Sequence, residues 1–274
     1  MMTFVIQNLP ILIVITPLMF SLIVAVLTNN RLAWALSTFA SFITMIFSIL
    51  LCFEISNSSN ISYYLGNWPP PLGIEYVIDT ISIIPIMIVS VIGLIATLFS
   101  HNFFMLEIDK NLVSKTYSLW LLTIAGLMGL ITTADAFNLF VFLEISSLSA
   151  VALVALGSKM DRKALIAGYN YLILGAVGAT FYVIGVGLLY GVTGTLNMND
   201  LAQKIPALGL NKSVIVSFTF MMLGIMVKAA VFPLHIWLPN AYAYAPSPVS
   251  VLLAATATKV SIYIIVRISY TIFG

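Results

Sequence analysis

Three ionisable residues lie near the middle of long apolar stretches: Glu144 in AFNLFVFLEISSLSAVALVALG, Lys228 in SVIVSFTFMMLGIMVKAAVF and Lys259 in VSVLLAATATKVSIYIIV. A charged side chain at bilayer depth costs about 2.5–3.5 kcal/mol on the insertion scale, so three of them sum to roughly 7–11 kcal/mol unless paired or hydrated. One carboxyl and two amines held away from bulk water have interdependent charge states. That is chemistry for handing on protons, or for coupling a proton to another ion. His235, in PLHIWLP, adds a side chain of a type that titrates near neutrality; its other reading is structural, satisfying carbonyls freed beside a proline.

The elements that must position these groups follow from composition. With 61% apolar and 7% charged residues over 274, and a mean hydropathy of +1.12, the chain falls outside the range of soluble globular domains. An integral membrane protein is expected. The net charge of +2 is small and scattered, and no basic run carries interleaved aromatics, which excludes a nucleic-acid partner. One cysteine, Cys52, and two histidines cannot build an intramolecular disulfide or the usual zinc and iron–sulfur sites, so no metal or cofactor is expected. No glycine-rich phosphate loop follows a strand. The first 27 residues lack a basic leader and a small-residue cleavage site, and read as a retained span.

The fold class expected is all-α: a polytopic membrane bundle of about eight transmembrane helices. The apolar runs fall at about 4–27, 32–53, 76–100, 116–133, 136–157, 164–192, 213–231 and 249–272, each near the roughly 20 residues that a bilayer requires. Asp135 is the sole charge between the fourth and fifth, which implies a tight turn. Gly168, Gly175, Gly178, Gly185 and Gly187 in the sixth point to close helix packing or a tilt. Arg31, Lys110, Lys115, Lys159, Arg162 and Lys163 all follow odd-numbered segments, while Lys204 and Lys212 follow an even one. The basic excess puts the odd-numbered connections in the cytoplasm and the N-terminus outside, with Arg267 dissenting near the outer end of the eighth segment.

The seventh segment runs into KAAVFPLHIWLPNAYAYAPSPVS, with prolines at 233, 239, 246 and 248, so its helix should break just after Lys228. Broken backbone at membrane depth is tolerated where it is buried in protein or lines a wet cavity. Trp237, Tyr242 and Tyr244 read as interfacial packing there. LGNWPPPLGIEYVID, Leu65 to Asp79, is expected to form a stiff outer cap with Trp68 and Tyr76 at the lipid interface, while Asp79 suits a helix start. LNMNDLAQKIP, Leu196 to Pro206, suggests a short surface helix with Asn199 as N-cap. In the eighth segment Thr256, Lys259, Tyr263 and Arg267 are spaced three, four and four apart along one helix face, with Lys259 and Arg267 about 12 Å apart along the axis. The stripe is either a wet path, or Arg267 snorkelling to the headgroups while Thr256 and Tyr263 pack.

Three stretches in order, FNLFVFLEISSLSAVALVA (137–155), KAAVFPLHIWLPNAYAYAPSPVS (228–250) and TKVSIYIIVR (258–267), resemble the antiporter-like membrane subunits shared by Mrp-type cation/proton antiporters and respiratory complex I. LGNWPPPLGIEYVID and TKVSIYIIVR look closer to the D-type subunit of the Mrp antiporters. The resemblance implies that Glu144 on the fifth helix pairs with Lys228 on the broken seventh, and that Lys259 on the eighth takes the proton onward. It also implies partner subunits of a membrane antiporter complex, protons and monovalent cations as cargo, and a cell-membrane location, the bacterial inner membrane. By the family's plan residues 1–115 hold three N-terminal helices and 116–274 the first of two inverted five-helix repeats, helices four to eight. The second repeat is then expected to be absent from this chain.

Three functions follow. The first is an Mrp-type antiporter subunit. The second is a proton-translocating subunit of a complex I-like NADH:quinone oxidoreductase, with redox chemistry in its partners. The third is a scaffold or truncated fragment that moves no ion.

Overall fold

The computed structural model describes residues 7–57, 60–209 and 211–274. Apolar runs of this length fold as helices because a helix satisfies its backbone groups within itself, where no water is available to do so. The helices are α1 (Leu9–Ala25), α2 (Asn30–Asn57), α3 (Thr80–Glu107), α4 (Val113–Thr132), α5 (Ala136–Ala155), α6 (Lys163–Thr193), α7 (Met198–Leu208), α8 (Lys212–Lys228), α9 (Trp237–Tyr244) and α10 (Ser247–Arg267). Among the described residues six of them, α2 to α6 and α10, are long and apolar enough to cross a membrane, so the protein is a multi-pass helical membrane protein. α1 and α8 are apolar helices of 17 residues each, and residues 4–6 of the first expected segment lie outside the described residues.

Helix α4 is the most enclosed, packed by α1, α2, α3, α5 and α10. α6 runs unbroken for 31 residues and packs closely on α8. Glycine makes that approach possible: a Cβ at Gly224 would lie 2.5 Å from the Gly178 carbonyl oxygen, and one at Gly185 2.7 Å from that of Ser217. The expectation of close packing does not extend to Gly187, which faces open space.

One end of the bundle carries an antiparallel hairpin of β1 (Asn60–Tyr64) and β2 (Glu75–Asp79), in register from Asn60 opposite Asp79 to Tyr64 opposite Glu75. Residues 76–79, assigned from hydropathy to the third helix, are therefore strand. Trp68 is 63% exposed as expected of an interfacial side chain, but Tyr76 is only 2% exposed, against Phe142 at 6.5 Å between ring centroids. Its alternation within a strand turns it inward, and burial pushes its hydroxyl up to about 12. The turn at 133–135 joins this end: the Ala134 amide donates to the Glu75 carbonyl at 2.9 Å, and Met198 donates to Ala134 at 2.8 Å. Asp135 caps α5 by accepting from the Asn138 amide at 2.7 Å, and burial pushes its carboxyl up. The surface helix α7 begins at Met198, and its cap is Asn197, not Asn199; Asn197 accepts from the Asp200 amide at 3.0 Å.

The connections with the basic excess gather at the opposite end. Asn30 donates to the Lys110 carbonyl at 2.8 Å, Lys159 to the Leu106 and Ile108 carbonyls at 3.1 and 3.0 Å, and the Lys163 ammonium lies 5.6 Å from the Tyr244 ring centre.

Candidate functional site

Lys228 is the last residue of α8 and is 7% exposed. Its ammonium donates to the Ser147 hydroxyl at 2.6 Å, and that hydroxyl donates its own hydrogen to the Leu143 carbonyl at 2.5 Å. Gly175 of α6 makes room for the ammonium: a Cβ there would lie 3.0 Å from Nζ. The helix stops here because Ala230 turns left-handed, at φ 53°, and Pro233 follows without an amide hydrogen. Chain 229–236 lies between α8 and α9. The Trp237 indole then donates to the Val227 carbonyl at 2.9 Å, one of the acceptors that a helix end leaves over. The same indole stacks on Tyr171 at 4.1 Å between centroids. Trp237 packs, as expected, but in the interior and against a wall of the lysine site.

Two small cavities flank the lysine. One of about 10 Å³ is lined by Glu144, Ser147, Gly175 and Lys228. The other, of about 20 Å³, is lined by Thr123, Ser146, Ser147, Lys228, Ala257 and Ser261, polar enough and large enough for about one water. Glu144 is half-buried, one turn before Ser147 on the same face of α5. Among the described residues no nitrogen–oxygen contact of ion-pair length joins Glu144 to Lys228. Ser147, which lines the same cavity as both, takes the ammonium's hydrogen bond.

Lys259 is placed apart. Its side chain is exposed, and its ammonium bonds back to the Ala254 carbonyl and reaches the Thr258 hydroxyl at 3.4 Å. Ala257 and Ser261 line the larger cavity, and two residues rotate a helix by about 200°, so Lys259 occupies the opposite side of α10. The stripe noted in the sequence is divided accordingly. Thr256 and Tyr263 are buried, with the Tyr263 hydroxyl donating to the Ile131 carbonyl at 3.0 Å. Arg267 does not snorkel; it forms an ion pair with Asp79.

Asp79 also caps α3, accepting from the Ser82 amide at 2.9 Å. Burial pushes its carboxyl up, but Arg267 and Ser82 together outweigh this and hold it below the usual carboxylate range. His235 is half-buried beside the Phe232 ring, and its Nδ1 is buried without a hydrogen-bond partner among the described residues. Sequence reasoning missed Glu107 and Glu75. Glu107 accepts from the Ser247 amide and hydroxyl at 2.7 and 2.6 Å, and Glu75 accepts from the Asn197 amide group at 2.8 Å. Both follow or precede apolar runs, where a carboxylate is ordinary, so their burial left no signal.

The arrangement can hold a proton on a buried amine and pass it through hydroxyl groups and water. Residues 133–273, just over half of the chain, match the transmembrane family described as NADH:quinone oxidoreductase/Mrp antiporter. The chain belongs to this family. NADH:quinone oxidoreductase/Mrp antiporter relatives match well beyond that segment. The chain is 42% identical over 271 residues to the N subunit of NADH-quinone oxidoreductase from Desulforudis audaxviator, covering 96% of this chain and 52% of that protein. It is 33% identical over 268 residues to the D-type subunit of the Na(+)/H(+) antiporter of Bacillus subtilis, covering 97% and 53%. A chain in the structure of the membrane-bound sulfane sulfur reductase, an archaeal respiratory membrane complex, superposes with a TM-score of 0.88 at 31% identity, covering 96% of this chain and 53% of that one. The chain thus spans about half the length of the relatives it matches.

Proposed function

We propose that this chain is a proton-moving subunit of a multisubunit monovalent cation/proton antiporter of the Mrp type, resembling its D-type subunit. The observation that carries the reading is the buried Lys228 ammonium on Ser147, with Glu144 facing the same cavity. The negative charge of Glu144 and the proton on Lys228 depend on each other across a low-dielectric gap. When Glu144 is neutralised, the ammonium is left without its counter-charge and releases its proton through Ser147 and the water-sized cavity toward α10. Lys259, on the exposed far side of α10, is the next carrier. His235 is a further proton carrier at the break. The antiporter subunit among the relatives supports this reading, and electron transfer, where it occurs, belongs to partner subunits.

Within the chain, residues 116–274 form the first antiporter-like repeat and 1–115 a three-helix flank. α8, residues 229–236 and α9 together make one interrupted crossing: the chain leaves the hairpin end near Lys212 and reaches the basic end at Tyr244. With α1 this gives eight crossings. The gathering of Arg31, Lys110, Lys159 and Lys163 at one end supports a cytoplasmic position for that end and an outward N-terminus in a bacterial inner membrane.

A second reading is favoured by the NADH-quinone oxidoreductase relative: a proton-translocating subunit of a complex I-like machine. Membrane vesicles bearing the complete complex separate the two. An antiporter changes internal pH on addition of sodium or potassium without reductant. A redox-driven pump responds only to electron donor, and a scaffold shows no loss of either response when Lys228 is replaced by alanine.

A further inference from the structure

α3 and α10 run antiparallel, and each end of the pair is closed by a carboxylate. At the hairpin end Asp79, the N-cap of α3, pairs with Arg267 in the last turn of α10. At the basic end Glu107, the last residue of α3, accepts from both the backbone amide and the hydroxyl of Ser247, the first residue of α10. Asp79 at the N-terminus of α3 and Arg267 at the C-terminus of α10 have the signs that their own helix ends favour, whereas Glu107, a carboxylate at the C-terminus of α3, has the sign favoured by the N-terminus of α10 that it caps. Glu107 is 7% exposed, and the Asp79 and Arg267 side chains are largely buried, so these contacts are not surface pairs exchanging freely with water. Ser247 follows α9 after a two-residue link, Ala245 and Pro246, and α9 holds the first turns of α10 on one side, the Ser250 hydroxyl donating to the Tyr242 carbonyl at 2.7 Å and the Tyr242 hydroxyl to the Leu253 carbonyl at 3.1 Å. α3 adds the charged contacts, one at each end of α10.

We propose that Asp79 and Glu107 are positioning residues that clamp α10 to α3 at both ends and thereby set where Lys259 stands. The clamp rests, for its part in transport, on the reading of Lys259 as a proton carrier. Lys259 lies eight residues from one clamp and twelve from the other, about 12 and 18 Å along the axis. Among the described residues its ammonium is bonded only within its own helix, to Ala254 and Thr258, so its place in the protein is that of α10. A small rotation or slide of α10 carries Lys259 relative to Lys228, while Ser261 and Ala257 move in the cavity wall.

The test uses the full chain in its assembled complex in membrane vesicles. In a Cys52→Ser, Lys259→Cys background, the rate of N-ethylmaleimide modification reports the surroundings of position 259. Asp79→Asn keeps a capping acceptor for α3 and removes the ion pair; Ser247→Ala keeps the amide bond to Glu107 and removes the hydroxyl bond. Each, like Glu107→Gln and Arg267→Gln, is expected to change the rate by about fivefold or more, the scale of a local opening equilibrium shifted by one broken contact. The Asp79→Asn/Arg267→Gln double variant is expected to match the single variants. Rates equal to the parent in all four variants, or additive effects within the Asp79–Arg267 cycle, overturn the clamp. With Lys259 intact, Asp79→Asn and Glu107→Gln are expected to move the pH of half-maximal transport, whereas loss of assembled complex lowers only the amplitude. Altered modification rates together with full transport by Lys259→Ala uphold the clamp and overturn Lys259 as a carrier.

Discussion

The Lys228 ammonium rests 2.6 Å from the Ser147 hydroxyl, and Ser147, not Glu144, is its direct partner. Ser147 sits on α5 where it lines both the cavity shared with Glu144 and the cavity that opens toward α10. A charged donor on a neutral acceptor is a strong contact that neutralises nothing. The proposed coupling of Lys228 to Glu144 is therefore one across a gap and not through a direct ion pair.

Ser147→Ala removes this bridge. Hydrogen bonds to charged groups contribute roughly 1.5–3 kcal/mol, so proton transport should fall about tenfold or more while the complex still assembles. Ser147→Thr, which keeps a hydroxyl, should retain most activity. Proton flux in vesicles, with partner subunits quantified in the same membranes, checks both.

Gly175→Ala places a methyl group 3.0 Å from the lysine nitrogen. The obstructed atom is the end of a flexible side chain, so the fold should accommodate it and the ammonium should be displaced from Ser147. Transport should drop with little loss of assembled protein, and flux normalised to subunit abundance measures it.

Gly224→Ala acts on packing instead. Its Cβ would meet the Gly178 oxygen at 2.5 Å and the Tyr182 nitrogen at 2.7 Å, backbone atoms that cannot move aside singly. Overpacking of this kind costs typically about 1–3 kcal/mol, and melting in detergent should shift down accordingly. Gly187→Ala, in open space, should be neutral or should raise stability by up to about 1 kcal/mol through helix propensity.

The Asp79–Arg267 pair gives stability an acid limb. The folded carboxyl titrates below its unfolded value, so its contribution is fully present above about pH 3.9 and is lost as pH falls through the lower folded value. Asp79→Asn should destabilise the protein at about pH 6 and flatten that acid limb, as followed by thermal melting across roughly pH 2.5–6.

Most of the helices were legible because bilayer length and hydropathy leave few alternatives, and Lys228 was legible because a charge in an apolar run is costly. Periodicity was a weaker guide. The spacing of Thr256, Lys259, Tyr263 and Arg267 defines a helix face about 80° wide. It does not say where within that arc burial ends, and Lys259, at one edge of the arc, is exposed while Thr256 and Tyr263 are buried. The strand at 75–79 was hidden because EYVID continues without a break into the apolar run of α3. Glu107 was hidden for a different reason: its partner, Ser247, is 140 residues away. Local sequence carries no sign of a cap supplied by another helix.

In the proposed mechanism Glu144 governs the proton on Lys228. Cation-driven pH change in vesicles carrying the complete complex, compared between the parent and Glu144→Gln, tests it most directly. Transport is expected to fall at least about tenfold with the complex still assembled, the scale on which loss of a positioned proton-transfer group is felt. Undiminished transport by Glu144→Gln at equal abundance would contradict it.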